Sequence, residues 1–300
     1  MKLPTIKQLY YFVALERNQH FGKAAKECFV SQSAFSVAIK ELESQLGVQL
    51  VDRTNKHVTI TLTGREIATQ ARLCLRDMEH LTEIAHSNEK PLTGKLNLGV
   101  IPTIAPFLLP KLMPSLRKSY PDLQLYLRED TTQSVHKHLM DGELDLILIA
   151  LPYKLSNIEI MTLFRDPFSL ACHKNTKILN PKKYDINTLA AESILLLEDG
   201  HCLRNHALSA CHIKNQDTVS RFAASSLLTL IGMVDSDIGI TYLTEISQGS
   251  TLLHNTNVAT YPLDDSSYRE IGLAWRKGSA RAKEFELLGD LIKGIYKGDK

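Results

Sequence analysis

Cys202 and Cys211, nine residues apart, stand out in this 300-residue chain because of what surrounds the first of them. Cys202 follows His201 and precedes Arg204, with a helical pattern beginning just after it. A nearby cation and a helix N-terminus both favour the thiolate, which is the nucleophilic form of the side chain. Three further uses of the same residues stay open. Leu203–Ala210 is amphipathic enough for Cys211 to be a core residue, and one reading makes both thiols buried core residues. Cys202 and His206, one helical turn apart, could bind a metal together with Cys211 and His212, but the spacing departs from the knuckle of structural metal sites. A thiol-dependent enzyme, a peroxidase or cysteine hydrolase in which Cys202 turns over with His201 or another base, is the third. No cofactor or resident metal is expected.

The other cysteines, Cys28, Cys74 and Cys172, lie in apolar contexts and are expected to be small core residues. An odd total of five argues against a structural disulfide framework. The length predicts two or three domains, and 44% hydrophobic with 23% charged residues is a globular composition. No apolar run approaches the roughly 18 residues of a membrane span. Met1–Ile6 is followed by polar and charged residues, not by the apolar core of a signal peptide, so a cytoplasmic location without membrane contact is expected. Net charge is only +2, but residues 1–65 carry +4 and the rest −2. A basic front end suits a DNA-contacting module.

Three segments must position these groups. In the first, Ile6, Leu9, Tyr10 and Val13 recur at helical spacing, as do Phe21, Ala24, Ala25 and Cys28. Ser31 suits an N-cap for a further helix that turns Ala34, Phe35, Ala38, Ile39, Leu42 and Leu46 inward and stops at Gly47. Its polar face carries Gln32, Ser33, Ser36 and Lys40, residue types that reach base edges and phosphates from the major groove. Val58–Thr61 alternates like the strand of a small wing, where Arg53, Lys56 and His57 would hold phosphates. The competing reading is a three-helix bundle with solvated polar faces.

The second segment is one long helix from a Thr63 cap to about Asn88. Ile67, Ala71, Cys74, Met78, Leu81 and Ala85 alternate in steps of four and three, the seam of helices that pair lengthwise, so a homodimer is expected. Beyond Asn88–Gly94 the pattern becomes alternating strands and helices. Strands are expected at 96–101, 123–127, 144–151, 168–172, 194–197, 238–243 and 271–275. Helices are expected near 106–120, 132–141, 225–235 and 281–297. Such an α/β pattern predicts a buried, largely parallel sheet, split into two halves with a ligand cleft between them.

Phe21–Ala25, Val30–Ser36, Ile39–Glu43, Leu46-Gly47, Arg53 and Thr61–Gly64 resemble the winged helix-turn-helix of LysR-type transcriptional regulators. Ser33 departs from the proline usual there, and Val51 from the usual phenylalanine. Ile101–Pro110 and Leu197–Arg204, with Cys211 following, are similar to the peroxide-sensing members of that family; Thr244 stands where a proline is common. The resemblance implies a DNA-binding domain over 1–62, a linker and dimerisation helix over 63–90 and an effector domain over 91–300. The last would be periplasmic-binding-protein-like, with subdomain I at about 91–165 and 269–300 and subdomain II at about 166–268.

It further implies Ser31, Gln32, Ser33, Ser36, Lys40, Arg53 and Lys56 as DNA contacts. Cys202 would be the peroxide-reactive thiol, Cys211 its disulfide partner, and Thr103, Thr132, His201 and Arg204 the peroxide pocket. Implied partners are double-stranded promoter DNA, hydrogen peroxide, RNA polymerase and further copies of the chain, as a homodimer or homotetramer. If residues 202–211 are helical, the two Cα atoms lie roughly 13 Å apart, whereas a disulfide tolerates about 7 Å. Oxidation would then require that helix to unwind. A regulator answering to a small organic anion in the cleft is the nearer rival, and the thiol enzyme the more distant one.

Overall fold

In the computed structural model the described residues are 3–53, 58–86, 91–154, 156–181, 184–213 and 215–298. Lys56 and His57 lie outside them, and at Arg53 only the backbone is described. The chain divides into two compact units, Met1–Lys90 with Met140–Glu143, and Pro91–Leu139 with Leu144–Lys300.

The first unit contains α1 (Ile6–Asn18), α2 (Phe21–Glu27), α3 (Gln32–Leu46), the strands β1 (Val51–Arg53) and β2 (Val58–Ile60), and α4 (Leu62–His86). Thr5 and Gln8 form a capping box that starts α1: the Gln8 amide donates to the Thr5 hydroxyl, and the Thr5 amide to Gln8 Oε1. The turn between α2 and α3 is a left-handed C-cap, with Phe29 at φ 56° and the Val30 amide donating to the Ala25 carbonyl. Ser31 then caps α3 by accepting from the Ala34 amide. Phe12, Leu15, Phe35, Ile39, Leu42 and Ala68 close the core. The strands pair antiparallel, Val51 opposite Ile60, and the Glu43 carboxylate accepts from the Leu50 and Val51 amides, fixing this wing to α3.

On α4 the expected seam divides. Ile67 packs against the unit's own core and Ala71 is buried, whereas Cys74, Met78 and Leu81 are exposed. Cys74 is therefore not the core residue its apolar neighbours suggested, because this stretch of the seam is left uncovered. Cys172 is fully buried and Cys28 half-buried. No described helix is long and apolar enough to cross a membrane.

The second unit runs β3 (Gly94–Val100), α5 (Ala105–Ser119), β4 (Leu123–Glu129), α6 (Thr132–Met140), β5 (Leu146–Leu151), β6 (Ile158–His173), β7 (Ile194–Leu197), α7 (Cys202–Ala210), β8 (Val219–Ala224), α8 (Leu227–Asp235), β9 (Thr241–Thr244), α9 (Glu245–Gln248), β10 (Val258–Pro262), β11 (Tyr268–Arg276) and α10 (Ala282–Gly298). One sheet has the order β10-β6-β11-β5-β3-β4, with β9 also on β6; β7 and β8 form a separate pair that a single bridge, Ile194 to Ile240, joins to the segment before β9.

Among the described strand pairs of this unit, β3–β4, β3–β5 and β7–β8 are parallel and the others antiparallel, so the expected largely parallel sheet is in fact mixed. The cause is β6. Sixteen residues long, it pairs antiparallel with β11 along its first part and with β9 and β10 along its second, serving both halves of the unit. Each half has its own apolar core, one built on Leu98, Leu146, Leu148, Leu273 and Phe285, the other on Phe168, Leu195, Leu230, Tyr242 and Leu243.

Candidate functional site

Cys202 is the first residue of α7. The Asp199-Gly200 turn aims it, with Gly200 at φ 102°, a conformation that favours glycine. His201 precedes the helix in extended conformation and makes no side-chain cap bond. The Cys202 side chain, 7% exposed, joins the first apolar core and also walls a narrow crevice. Ile101, Pro102, Thr103, Thr131, Thr132, Gly200 and His201 complete the lining, around about 150 Å³ of empty space too tight for a water-sized sphere. The sequence-derived set of Cys202, Thr103, Thr132 and His201 is thus brought together.

Arg204 is not. Its guanidinium pairs with Asp199 at 3.1 Å and donates to the Leu197 carbonyl at 3.3 Å, away from the crevice. The cation that reaches the site is Arg269 of β11, which the sequence reading missed. It is fully buried, donates through Nη1 to the Thr103 hydroxyl at 2.9 Å and through Nη2 to the Thr103 carbonyl at 3.0 Å, and pairs with Asp166 at 2.9 Å. The other Asp166 oxygen accepts from the Ile246 amide. Burial pushes the Asp166 carboxyl above its ordinary range, against the pull of Arg269. A signal existed in the alternation of β11: Arg269 shares its buried face with Ile271, Leu273 and Trp275.

The two threonines differ in their partners. Because Arg269 donates to Thr103 Oγ1, the Thr103 hydroxyl proton remains free to be donated elsewhere. Thr132 opens α6 and is 2% exposed, and its Oγ1 has no hydrogen-bond partner among the described residues. Asp130 steadies this corner by accepting from the Ser134 hydroxyl and the Thr131 amide, and the Ser134 bond holds its carboxyl below the usual range.

Cys211 closes the other end of α7, as its C-cap. It is buried in the second core and lines a separate groove with Tyr184, Tyr261 and Asp264. Burial pushes its thiol up to about 12, with Asp264 adding to the shift. Both thiols are free. Among the described residues no group of three or more His, Cys, Asp or Glu could hold a metal ion.

In the first unit, Ser31, Gln32, Ser33 and Lys40 are exposed along the start and polar face of α3, and Ser36 is half-buried. Ser31 spends its hydroxyl on the helix cap and lies 3.1 Å from the Ser33 hydroxyl. Of these five, Gln32 and Lys40 carry the long polar side chains.

Comparison with known proteins agrees with both units. Residues 6–65 match the bacterial regulatory helix-turn-helix of the lysR family, and residues 89–295 the LysR substrate binding domain. The transcriptional regulator EstR of Acinetobacter baylyi is 37% identical, over 98% of this chain and 97% of its own. The dual regulator OxyR of Escherichia coli is 36% identical, over 98% of this chain and 96% of its own. Full-length OxyR of Pseudomonas aeruginosa, in a cysteine-to-aspartate variant, superposes with a TM-score of 0.80 at 33% identity, covering 98% of this chain and 96% of that one. With both domain models matched in order along one chain, and OxyR-like relatives spanning nearly all of it, the chain belongs to the LysR family of helix-turn-helix transcription regulators.

Proposed function

We propose that the chain is a peroxide-responsive transcription regulator in which Cys202 is the sensing thiol and Cys211 resolves it. The observation that carries this reading is the Thr132 hydroxyl, buried and without a partner among the described residues, in the same crevice as the Cys202 thiol. A buried hydroxyl without a partner is costly and calls for a polar ligand. So small a crevice suits a molecule of two heavy atoms and must open slightly even for that.

In the reaction the Cys202 sulfur attacks one peroxide oxygen. An S–O bond forms, the O–O bond breaks, and the leaving hydroxide takes a proton and departs as water. The Thr103 proton, left free by Arg269, and the Thr132 hydroxyl are the donors for the two oxygens. The Cys211 sulfur then attacks the sulfenic sulfur, an S–S bond forms, the S–O bond breaks and a second water leaves. In the folded helix Cys211 is held protonated at the far end, so this second step waits for α7 to unwind.

That rearrangement would reach promoter DNA through α3, with Gln32 and Ser33 reading base edges and Lys40 holding phosphate, alongside Arg53 and Lys56 of the wing. Double-stranded DNA, further copies of the chain and RNA polymerase are the partners of such a regulator. The rival effector is a small organic anion, but Arg269, the buried cation beside the crevice, is already engaged by Asp166, Thr103 and Thr244. A stoichiometric peroxide pulse on the reduced protein, followed by peptide mass spectrometry, is the test. A Cys202–Cys211 disulfide within seconds, absent in Cys202→Ser and replaced by a trappable sulfenic acid in Cys211→Ser, is expected. Unselective or absent oxidation at Cys202 would remove the peroxide reading.

A further inference from the structure

We propose that His206 is a positioning residue that latches α7 in its helical, reduced form, and that acid releases the latch. The inference rests on the redox reading above and concerns how easily its helix opens.

His206 follows Cys202 by one turn on the same face of α7 and is 93% buried, its exposure being 7%. Its Nε2 lies 3.0 Å from the carbonyl oxygen of Pro152, in the connection that leaves β5. A carbonyl only accepts, so Nε2 carries the proton and the neutral ring has a bare Nδ1. That Nδ1 is buried with no partner among the described residues. The contact ties the middle of the helix that must unwind to a neighbouring connection of the fold.

Protonation would place a second N–H at Nδ1, where no acceptor waits. The charged groups around it make that worse. From β11, Arg269 presents a positive charge; β7, packed on the other side, is Ile194-Leu195-Leu196-Leu197 and offers none. On α7 itself Arg204 is turned to Asp199, and Asp264 lies beyond the C-terminal end, at the Cys211 groove. The Pro152 connection continues into Tyr153 and Lys154, so it brings no carboxylate. Burial accordingly holds the ring below its ordinary value, with Arg269 pushing the same way and the Pro152 bond opposing.

The direction of the pH effect follows. Above the ordinary histidine value of about 6.5 the ring is neutral in both forms and the latch is at full strength. Below it, the unwound form takes up the proton first, so opening of α7 grows with acidity until the helical form also titrates. At pH 5.5 the gain is at most about tenfold.

Amide hydrogen exchange of the reduced, full-length protein tests this without any oxidant, so its failure is distinct from a failure of the peroxide reading. Exchange in peptides covering 203–211 is compared between wild type and His206→Gln at pH 7.5 and 5.5, which cancels the intrinsic pH dependence of exchange. The ratio of wild-type to variant opening is expected to rise several-fold, up to about tenfold, at the lower pH. A ratio unchanged between the two pH values would overturn the proposal. His206→Leu, which keeps bulk but cannot donate to Pro152, should open faster than wild type at pH 7.5; equal protection there would also overturn it. If that variant does not fold, the glutamine comparison alone decides.

Discussion

Cys202 and Cys211 close the two ends of one helix and are buried in different apolar cores, the first beside Thr103 and Thr132, the second beside Tyr184 and Tyr261. Nine helical steps hold their Cα atoms roughly 13 Å apart. A disulfide between them is therefore incompatible with the helix that Cys202 opens. Forming it must extract at least one sulfur from its core, which couples a local bond to the packing of the whole C-terminal unit.

A first prediction concerns Cys211 alone. Its thiol, raised to about 12 by burial, carries very little thiolate at neutral pH. Alkylation of Cys211 in the reduced native protein at pH 8 should be on the order of 1,000-fold slower than that of a free cysteine, rising about tenfold per pH unit. Timed iodoacetamide labelling with peptide mass spectrometry checks this. Labelling of Cys211 at the rate of free cysteine would show that α7 opens readily even when reduced.

Thr132→Val separates stability from chemistry. The substitution removes a buried hydroxyl that lacks a partner, so stability should hold or rise by up to about 1 kcal/mol. Loss of one donor to the reacting oxygens should slow oxidation of Cys202 by about 100-fold. Urea unfolding and stopped-flow peroxide oxidation give the two quantities. A variant that oxidises at the wild-type rate would take Thr132 out of the site.

Gln32 and Lys40 should fail differently on DNA. Gln32→Ala removes a possible bidentate base contact and should cost about 1–3 kcal/mol on the preferred operator, with relaxed sequence preference. Lys40→Ala removes a cation and should weaken binding to all sequences alike, flattening the salt dependence by about one counterion. Binding isotherms on specific and scrambled duplexes at several salt concentrations distinguish the two. Equal losses on both duplexes for Gln32→Ala would move base reading elsewhere on α3.

Much of this architecture was legible because local signals agreed with the fold. The Ser31 cap, the inward row of Phe35, Ile39 and Leu42 and the Gly47 stop all describe α3 as it is. Ile194–Leu197 is the strand its apolar run announced. What stayed hidden depends on tertiary partners. The first ten residues of β6 look irregular, since Arg165, Asp166 and Pro167 interrupt them, yet antiparallel pairing with β11 makes them strand. Arg204 stands beside Cys202 in the sequence and Arg269 far from it, and only folding assigns the first to Asp199 and the second to Thr103. That the first residues of the α4 seam are taken by α4's own domain was likewise beyond what heptad spacing can say.

Arg269→Met supplies a pH-dependent test of the buried pair. With the guanidinium gone, the Asp166 carboxylate is left charged in an apolar site, an unpaired state worth about 3–5 kcal/mol of destabilisation. Burial raises the carboxyl of Asp166 already, and losing its cation raises it further. A carboxyl raised on folding contributes stability fully below its ordinary value of about 4, and that contribution is lost as pH rises through the raised value. The variant's deficit against wild type should therefore be largest at pH 8 and shrink towards pH 5. Chemical denaturation at several pH values measures it, with Asp166→Leu in the Arg269→Met background expected to recover most of the loss. A deficit independent of pH would mean that the Asp166 carboxyl titrates alike with and without the guanidinium, and that Arg269 serves only to hold Thr103.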